Sequence, residues 1–146
     1  MDAGGFEVIG NRLTTALLTG DLDLYLRLIS IPLRIAAEDA YCYDLQNDAA
    51  VAEDFRLYHD VLRLHGVTDI DREVLDIRPE GDGVLVTCRV NIVAQAKRIV
   101  EPFRTDTLLV PDGDDWRIAR INSQPGHIDW TLGQARIDTA GNFVRR

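Results

Sequence analysis

The sequence has few cysteines and no long apolar segment. Cys42 and Cys88 are its two cysteines, too few for the disulfide framework of a small secreted domain. No apolar run approaches the ~20 residues that a membrane-spanning helix needs. The first residues do not combine a basic stretch with an apolar one, as a secretory signal does. We therefore expect a cytoplasmic protein.

Basic residues are also in short supply. The chain has 16 Lys and Arg against 24 Asp and Glu, which gives a formal net charge of −8. A surface of that sign repels the phosphates of nucleic acids and of anionic lipids. We expect neither nucleic acid nor a membrane as a partner.

Motifs of several enzyme classes are missing. No cluster of His, Asp and Glu has metal-ligand spacing, and there is no GxSxG elbow, Walker-type loop or GxGxxG turn. Both cysteines lie on predicted strands, with no basic neighbour positioned to lower the pKa of the thiol. The sequence predicts no metal site and no cofactor.

The composition is that of a globular protein, with 46% hydrophobic and 27% charged residues in 146. That length suits one domain, which we assign to residues 1–146, with a core over about 6–123 and a tail over 124–146. Apolar spacing predicts helices and strands in a definite order. The order is two helices (6–19 and 22–29), a hairpin (33–37 and 41–45), a helix (49–64) and strands (70–77, 84–98, 103–110 and 116–123).

Two features indicate how these elements pack. Gly20 ends the first helix and Asp21 caps the second, so the two helices meet at a corner. The strand from Val84 alternates cleanly, so that one face covers a core and the other meets water or a partner. We predict an α+β cone, in which a strongly curved, mostly antiparallel sheet wraps around three helices and encloses an internal pocket.

The corner and the last two strands resemble a known family. The segments LLTGDLD (17–23), RTDTLLV (104–110) and DGDDWRIA (112–119) are similar to segments of the nuclear transport factor 2-like superfamily, which includes SnoaL-like proteins and has a cystatin-like fold. Its members include isomerases, cyclases, dehydratases, dioxygenase subunits and proteins without catalytic activity. The resemblance therefore implies the cone but not one activity.

The resemblance also implies positions for catalytic residues. Members similar to ketosteroid isomerase place a tyrosine where this sequence has Leu13, so the oxyanion donor is missing here. Their base corresponds to Asp39, which lies in a predicted turn, and their second acid corresponds to Asp106. Asp106 is the candidate acid or base if it faces the pocket. The alternative is an ion pair on the sheet with Arg120, Arg89 or Arg104.

Other residues are candidates for the pocket wall. Tyr58 lies mid-stripe on the third helix, where its ring and hydroxyl can contact a ligand or complete the core. Asn122 lines the pocket if its face of the last strand is the inner one, and belongs to an interface if that face is the outer one. His59 and His65 are expected at an edge and at the helix end. The remaining predicted ligand contacts are apolar: Leu13, Leu26, Phe55, Leu62 and Val90.

Three functions remain open. The first is binding of a small apolar ligand in the cone. The second is a cofactor-independent isomerase, cyclase or dehydratase that uses Asp106, and the third is a non-catalytic dimerisation or assembly domain. In each case we expect a homodimer through the outer face of the sheet, formed by Leu85, Thr87, Arg89, Asn91, Val93 and Gln95.

Overall fold

Each helix begins at a side chain that caps it. Asp2, Asp21 and Asn47 each accept a hydrogen bond from the backbone N–H three residues further on, at 2.8, 3.1 and 2.9 Å. Such caps satisfy N–H groups that have no partner within the helix. The computed structural model describes residues 1–37, 41–95, 97–98, 101–124, 135–137 and 143–145. Its helices are α1 (Ala3–Thr19), α2 (Leu22–Leu28) and α3 (Asp48–Leu64).

The predicted corner between the first two helices is confirmed. Gly20 follows α1 with a φ of 72°, in the left-handed region that glycine tolerates best. The backbone N–H of Asp21 donates to the Ala16 carbonyl at 3.0 Å, which closes the end of α1. The corner therefore joins α1 to α2 through two residues.

The strands form a mixed sheet with the order β2-β1-β7-β6-β4-β3, and β5 pairs with β4. β1 and β7 run parallel, whereas the other neighbours run antiparallel. This sheet and the three helices confirm the predicted α+β cone. Its strands are β1 (Ile29–Ala37), β2 (Tyr41–Leu45), β3 (Asp69–Glu80), β4 (Gly83–Ala94), β5 (Lys97–Arg98), β6 (Phe103–Asp112) and β7 (Asp115–Ser123). Two further strands, β8 (Ala135–Ile137) and β9 (Phe143–Arg145), form a separate two-stranded sheet.

The inner face of the sheet and the helices share one hydrophobic core. On β4, the alternate residues Val86, Cys88, Val90 and Ile92 are buried in it, as the alternation of that strand predicts. Among the described residues, no helix has both the length and the apolar character needed to cross a membrane.

Two bulges interrupt the alternation of other strands. One falls at Leu75 in β3, between the pairs that Val74 and Asp76 make with β4. The other falls at Ala119 in β7, because neighbouring residues of β6 pair with Ile118 and Arg120. A bulge adds one residue to a strand, bends it and reverses which side chains face inward. Both bulges therefore help to curve the sheet around the helices.

Candidate functional site

A cavity of about 120 Å³ lies between the helices and the inner face of the sheet. Most of its wall is apolar, with polar side chains at a few positions. Ligand sites in proteins commonly have this character. The apolar wall includes Leu13, Leu17, Ile70, Val90, Phe103 and Ile121.

Asp54 supplies a carboxyl group to this cavity. It lies on α3, and the phenol of Tyr43 on β2 donates to its Oδ1 at 3.0 Å. Burial raises the pKa of Asp54 to about 6, although the hydrogen bond from Tyr43 opposes this shift. The cost of removing the charge from water therefore exceeds the gain from one hydrogen bond. Asp54 can take up and release a proton near neutral pH.

Two more tyrosines line the cavity near this carboxyl group. Burial raises the pKa of Tyr25, and electrostatic interaction with the nearby Asp54 and Tyr58 raises it further. Its ring packs against Phe55, with ring centroids 4.7 Å apart. The Tyr25 phenol therefore keeps its proton and remains a hydrogen-bond donor.

Arg72 places a cation in another part of the wall. It lies on β3, whereas Tyr43 lies on β2 at the opposite edge of the sheet order. Its Nη1 donates to the Gly10 carbonyl at 3.1 Å and to Thr14 Oγ1 at 2.6 Å, which ties β3 to α1. Burial lowers the pKa of the Arg72 guanidinium, which stays charged at neutral pH.

No family model and no curated protein matches the sequence. Solved structures do match. One is a candidate association domain of calcium/calmodulin-dependent protein kinase type II from Thiobacillus denitrificans, with a TM-score of 0.62 and 14% identity over 82% of this chain and 93% of that one.

Two further matches carry enzyme names. A candidate dehydratase of the NTF2-like family from Streptomyces avermitilis has a TM-score of 0.60 and 15% identity, over 85% of this chain and 95% of that one. A candidate ketosteroid isomerase from Shewanella frigidimarina has a TM-score of 0.61 and 16% identity, over 79% and 90%. This chain has the nuclear transport factor 2-like fold. At such low identity the likeness establishes the fold alone.

Within this nuclear transport factor 2-like cone, Asp106 does not line the cavity. Its carboxylate accepts a hydrogen bond from Thr87 Oγ1 at 2.6 Å, and it pairs across strands with Thr87 and Asn122. Thr105 and Thr107, its neighbours on β6, face the cavity instead. Of the two positions left open for Asp106, the structure therefore has the outer face, because that is the face of its parity on β6. Among the described residues its carboxylate is hydrogen-bonded to Thr87 and forms no ion pair with an arginine.

The predicted apolar contacts divide into two groups. Leu13 and Val90 lie in the cavity wall, together with Tyr58. Phe55 and Leu62 are instead buried in the core, and Leu26 packs against that core without reaching the wall. Helical spacing identifies buried residues but not which of them border empty space. Whether the lining residues bind a ligand stays a prediction.

The bulge at Ala119 decides the face of Asn122. Trp116 and Ile118 pack on the core, but after the bulge Ile121 and Ser123 point to the cavity. Asn122 and Arg120 therefore lie on the outer face, and Arg120 donates to Glu80 at 2.6 Å. Asn122 is placed outside the cavity wall for this reason. Asp39 falls outside the described residues.

The two helix histidines also lie away from the cavity wall. The Nδ1 of His59 is 2.6 Å from the Leu17 carbonyl, and its ring stacks on Phe55 with centroids 6.3 Å apart. His65 is exposed at the C-terminal cap of α3. Among the described residues, no group of three or more His, Cys, Asp and Glu is arranged to hold a metal ion.

The sequence interpretation missed Asp54, Arg72, Tyr25 and Tyr43 as lining residues, although two signals were available. Asp54 belongs to a second stripe of α3 that faces the cavity, with Leu57, Tyr58 and Val61 at helical spacing. Arg72 alternates with the inward-facing Ile70 and Val74 of β3. In both cases a charged residue occupies a position whose spacing marks it as inward-facing, and this pattern predicts a side chain in the cavity wall.

Proposed function

We propose that this protein binds a small, mostly apolar molecule in the cavity of its cone. The observation that carries the proposal is the apolar cavity of about 120 Å³ with a carboxyl group and phenols in its wall. An engineered apolar cavity of about 150 Å³ binds benzene. The cavity therefore suits a molecule of about one ring or a short branched chain.

The wall also limits how such a molecule is held. Apolar side chains supply most of the contact area, and burial of apolar surface is the main source of affinity in such sites. Asp54, Tyr43 and Tyr25 lie together at one end, where they can orient a polar substituent. We infer that the ligand is apolar along most of its length and polar at its ends.

A second candidate function is proton transfer, favoured by the pKa of Asp54 near 6. A carboxyl group with such a pKa can remove a proton from a substrate and return it elsewhere at neutral pH. An isomerase, cyclase or dehydratase without a cofactor needs that step. In this proposal Asp54 takes the role expected for Asp106, and the phenols of Tyr43 and Tyr25 donate hydrogen bonds to the substrate or to Asp54.

We also propose that the protein is a homodimer through the outer sheet face that includes Thr87, Arg89, Asn91 and Val93. Leu85, which was also expected there, is buried within the chain, and Gln95 lies in the turn after β4. The face mixes apolar side chains with polar ones, as non-obligate interfaces do. Arg89 is half exposed there and pairs with Glu73 at 2.9 Å. Such a dimer leaves the cavity on the opposite face of the sheet.

Ligand binding is tested by NMR titration of the protein with benzyl alcohol, a neutral probe of one ring. We expect backbone shifts confined to residues around the cavity. Val90→Phe fills the wall and should weaken binding about tenfold or more. Val8→Phe is the matched control, because Val8 is 50% exposed on α1. Shifts scattered over the surface, or equal binding by both variants, would contradict the proposal.

A further inference from the structure

We propose that the cavity ligand is a small monocarboxylate whose carboxylate is held by Arg72. This inference rests on the proposed function of the cavity as a ligand site. It adds the chemical class of the ligand and a residue that selects it. Neither the chemical class of the ligand nor the role of Arg72 follows from the fold.

Arg72 is oriented by contacts that leave part of its guanidinium unused. Nη1 makes both hydrogen bonds of this side chain, to the Gly10 carbonyl and to Thr14 Oγ1. Thr14 Oγ1 in turn donates to the Ile70 carbonyl at 3.4 Å, which fixes the acceptor. Within the described parts of the chain, Nε and Nη2 have no hydrogen-bond acceptor. Three N–H donors thus remain on a side chain that lines the cavity.

The charge of Arg72 is also unpaired within the described residues. Arg72 forms no ion pair with them. Asp54, whose carboxyl group lines the same cavity, accepts a hydrogen bond from Tyr43 instead. Burial has the largest effect on the pKa of Arg72, and the opposing electrostatic effects are each smaller. They come from Tyr58 and Cys88 first, and then from Asp69 and Asp71, which are exposed on β3. Arg72 is half-buried, and a charge that has lost much of its hydration without gaining an ion-pair partner is costly. An anion in the cavity would supply the missing partner, and a carboxylate matches the planar guanidinium in shape.

The other end of the cavity limits the ligand to one negative charge. Asp54 has a pKa of about 6, so it is mostly ionised at pH values well above 6. A second carboxylate at that end would face a like charge in apolar surroundings. A hydroxyl group there would instead donate to Asp54. The cavity is thus matched to a monocarboxylate with an apolar body.

A purely structural role predicts a different result. Arg72 joins β3 to α1 through Nη1 alone, and a clamp of that kind needs no anion. It would give the cavity no preference between a carboxylate and its neutral amide. The two roles are therefore separated by comparing ligands of equal shape and different charge.

The test measures dissociation constants by calorimetry or NMR for two pairs, benzoate with benzamide and butyrate with butyramide. At about pH 7.5, we expect the carboxylate of at least one pair to bind about tenfold more tightly than its amide. Arg72→Met should abolish that preference, and Arg72→Lys should retain part of it. Arg56→Met, at an exposed arginine of α3, is the matched control and should keep the preference.

Each outcome decides the inference. If the unmodified protein binds carboxylate and amide equally, or binds benzyl alcohol but no carboxylate, the inference is overturned and the proposed function stands. If no probe shifts cavity residues, the proposed function fails as well. Should Arg72→Met fail to fold, the carboxylate preference of the unmodified protein and its reduction in Arg72→Lys decide the matter. A preference that Arg72→Met retains would also overturn it.

Discussion

Asp54 shows how position changes the chemistry of an ordinary residue. Its carboxyl group borders a largely apolar cavity, where the ionised form is poorly solvated. Tyr43 donates one hydrogen bond to it, yet its pKa still rises to about 6. The native protein therefore holds this proton at pH values where the unfolded chain has released it.

The free energy of unfolding should depend on pH through Asp54. Its pKa rises from an ordinary value of 3.8 to about 6 in the fold, so between these values the native state binds the extra proton. Stability therefore falls as the pH rises through this window, by up to about 3 kcal/mol. Asp54→Asn removes this titration, so it should gain stability relative to wild type between about pH 4 and about pH 7.5. Urea unfolding at both pH values measures the gain.

Asp44→Asn is the control of opposite sign. The hydrogen bond from Arg34 at 2.8 Å lowers the pKa of Asp44, so its contribution to stability is present above its unfolded pKa and lost in acid. That variant should be less stable than wild type at neutral pH, and the difference should shrink in acid. If Asp54→Asn showed the same pattern, its carboxyl group would not lie in the cavity as described.

The sequence predicted which residues are buried better than it predicted which residues line the cavity. Leu13, Tyr58 and Val90 were found from periodicity because lining residues share stripes with core residues. Asp54 was not predicted to line the cavity, because an acidic residue near a helix N-terminus is already explained by its favourable interaction with the helix dipole. The face of Asp106 stayed open because residues of one parity on β6 share a face, and periodicity does not say which face is inner.

At the scale of elements, the corner between α1 and α2 is built against α3. Gly20 has a φ of 72°, and a Cβ on it would lie 2.9 Å from His59 Nε2. His59 itself lies on α3, with Nδ1 2.6 Å from the Leu17 carbonyl. The corner thus needs glycine both for its backbone and for the space taken by His59.

Gly20→Ala should therefore destabilise the protein more than Gly66→Ala. Gly66 also has a positive φ of 66°, but a Cβ there would have nothing within 4 Å. We expect Gly66→Ala to cost about 1–2 kcal/mol for its left-handed backbone. Gly20→Ala should cost about 1–3 kcal/mol more because of the close contact. Guanidinium unfolding measures both, and equal losses would show that His59 does not crowd the corner.

Regular elements were predictable because their signals are local. The caps Asp21 and Asn47 and the alternation of Val86, Cys88 and Val90 follow from short-range chemistry. The bulge at Ala119 has no such local signal, because the residues around it are as compatible with a regular strand as with a bulge. A single inserted residue there reversed the face of Asn122.

At the scale of the molecule, the fold separates two surfaces. The inner face of the sheet holds the cavity, and the outer face carries polar pairs such as Thr87 with Asp106 and Arg89 with Glu73. One face can therefore serve a ligand while the other serves a second copy of the chain. The two proposals are independent and can fail separately.

Arg89→Glu should disrupt the proposed homodimer. The variant places a carboxylate beside Glu73 on the outer face, and two copies of it would meet across the interface. Arg56→Glu is the matched control, because Arg56 is similarly exposed and paired with Glu53 at 3.2 Å, but lies on α3. Sedimentation should give wild type and Arg56→Glu twice the monomer mass of 16.4 kDa, and Arg89→Glu the monomer mass. A monomeric wild type at micromolar concentration would end the dimer proposal.

The position of Asp54 inside the cavity is tested most directly by an NMR titration of its carboxyl carbon. The pKa measured this way should be about 6, and the titration should be absent from Asp54→Asn. Bound benzene, which has no hydroxyl group to donate to Asp54, should raise the pKa further, because a ligand that displaces water leaves the charged form less solvated. A measured pKa of about 3.9, the value of an aspartate in water, would place Asp54 outside the cavity and contradict the proposed proton transfer.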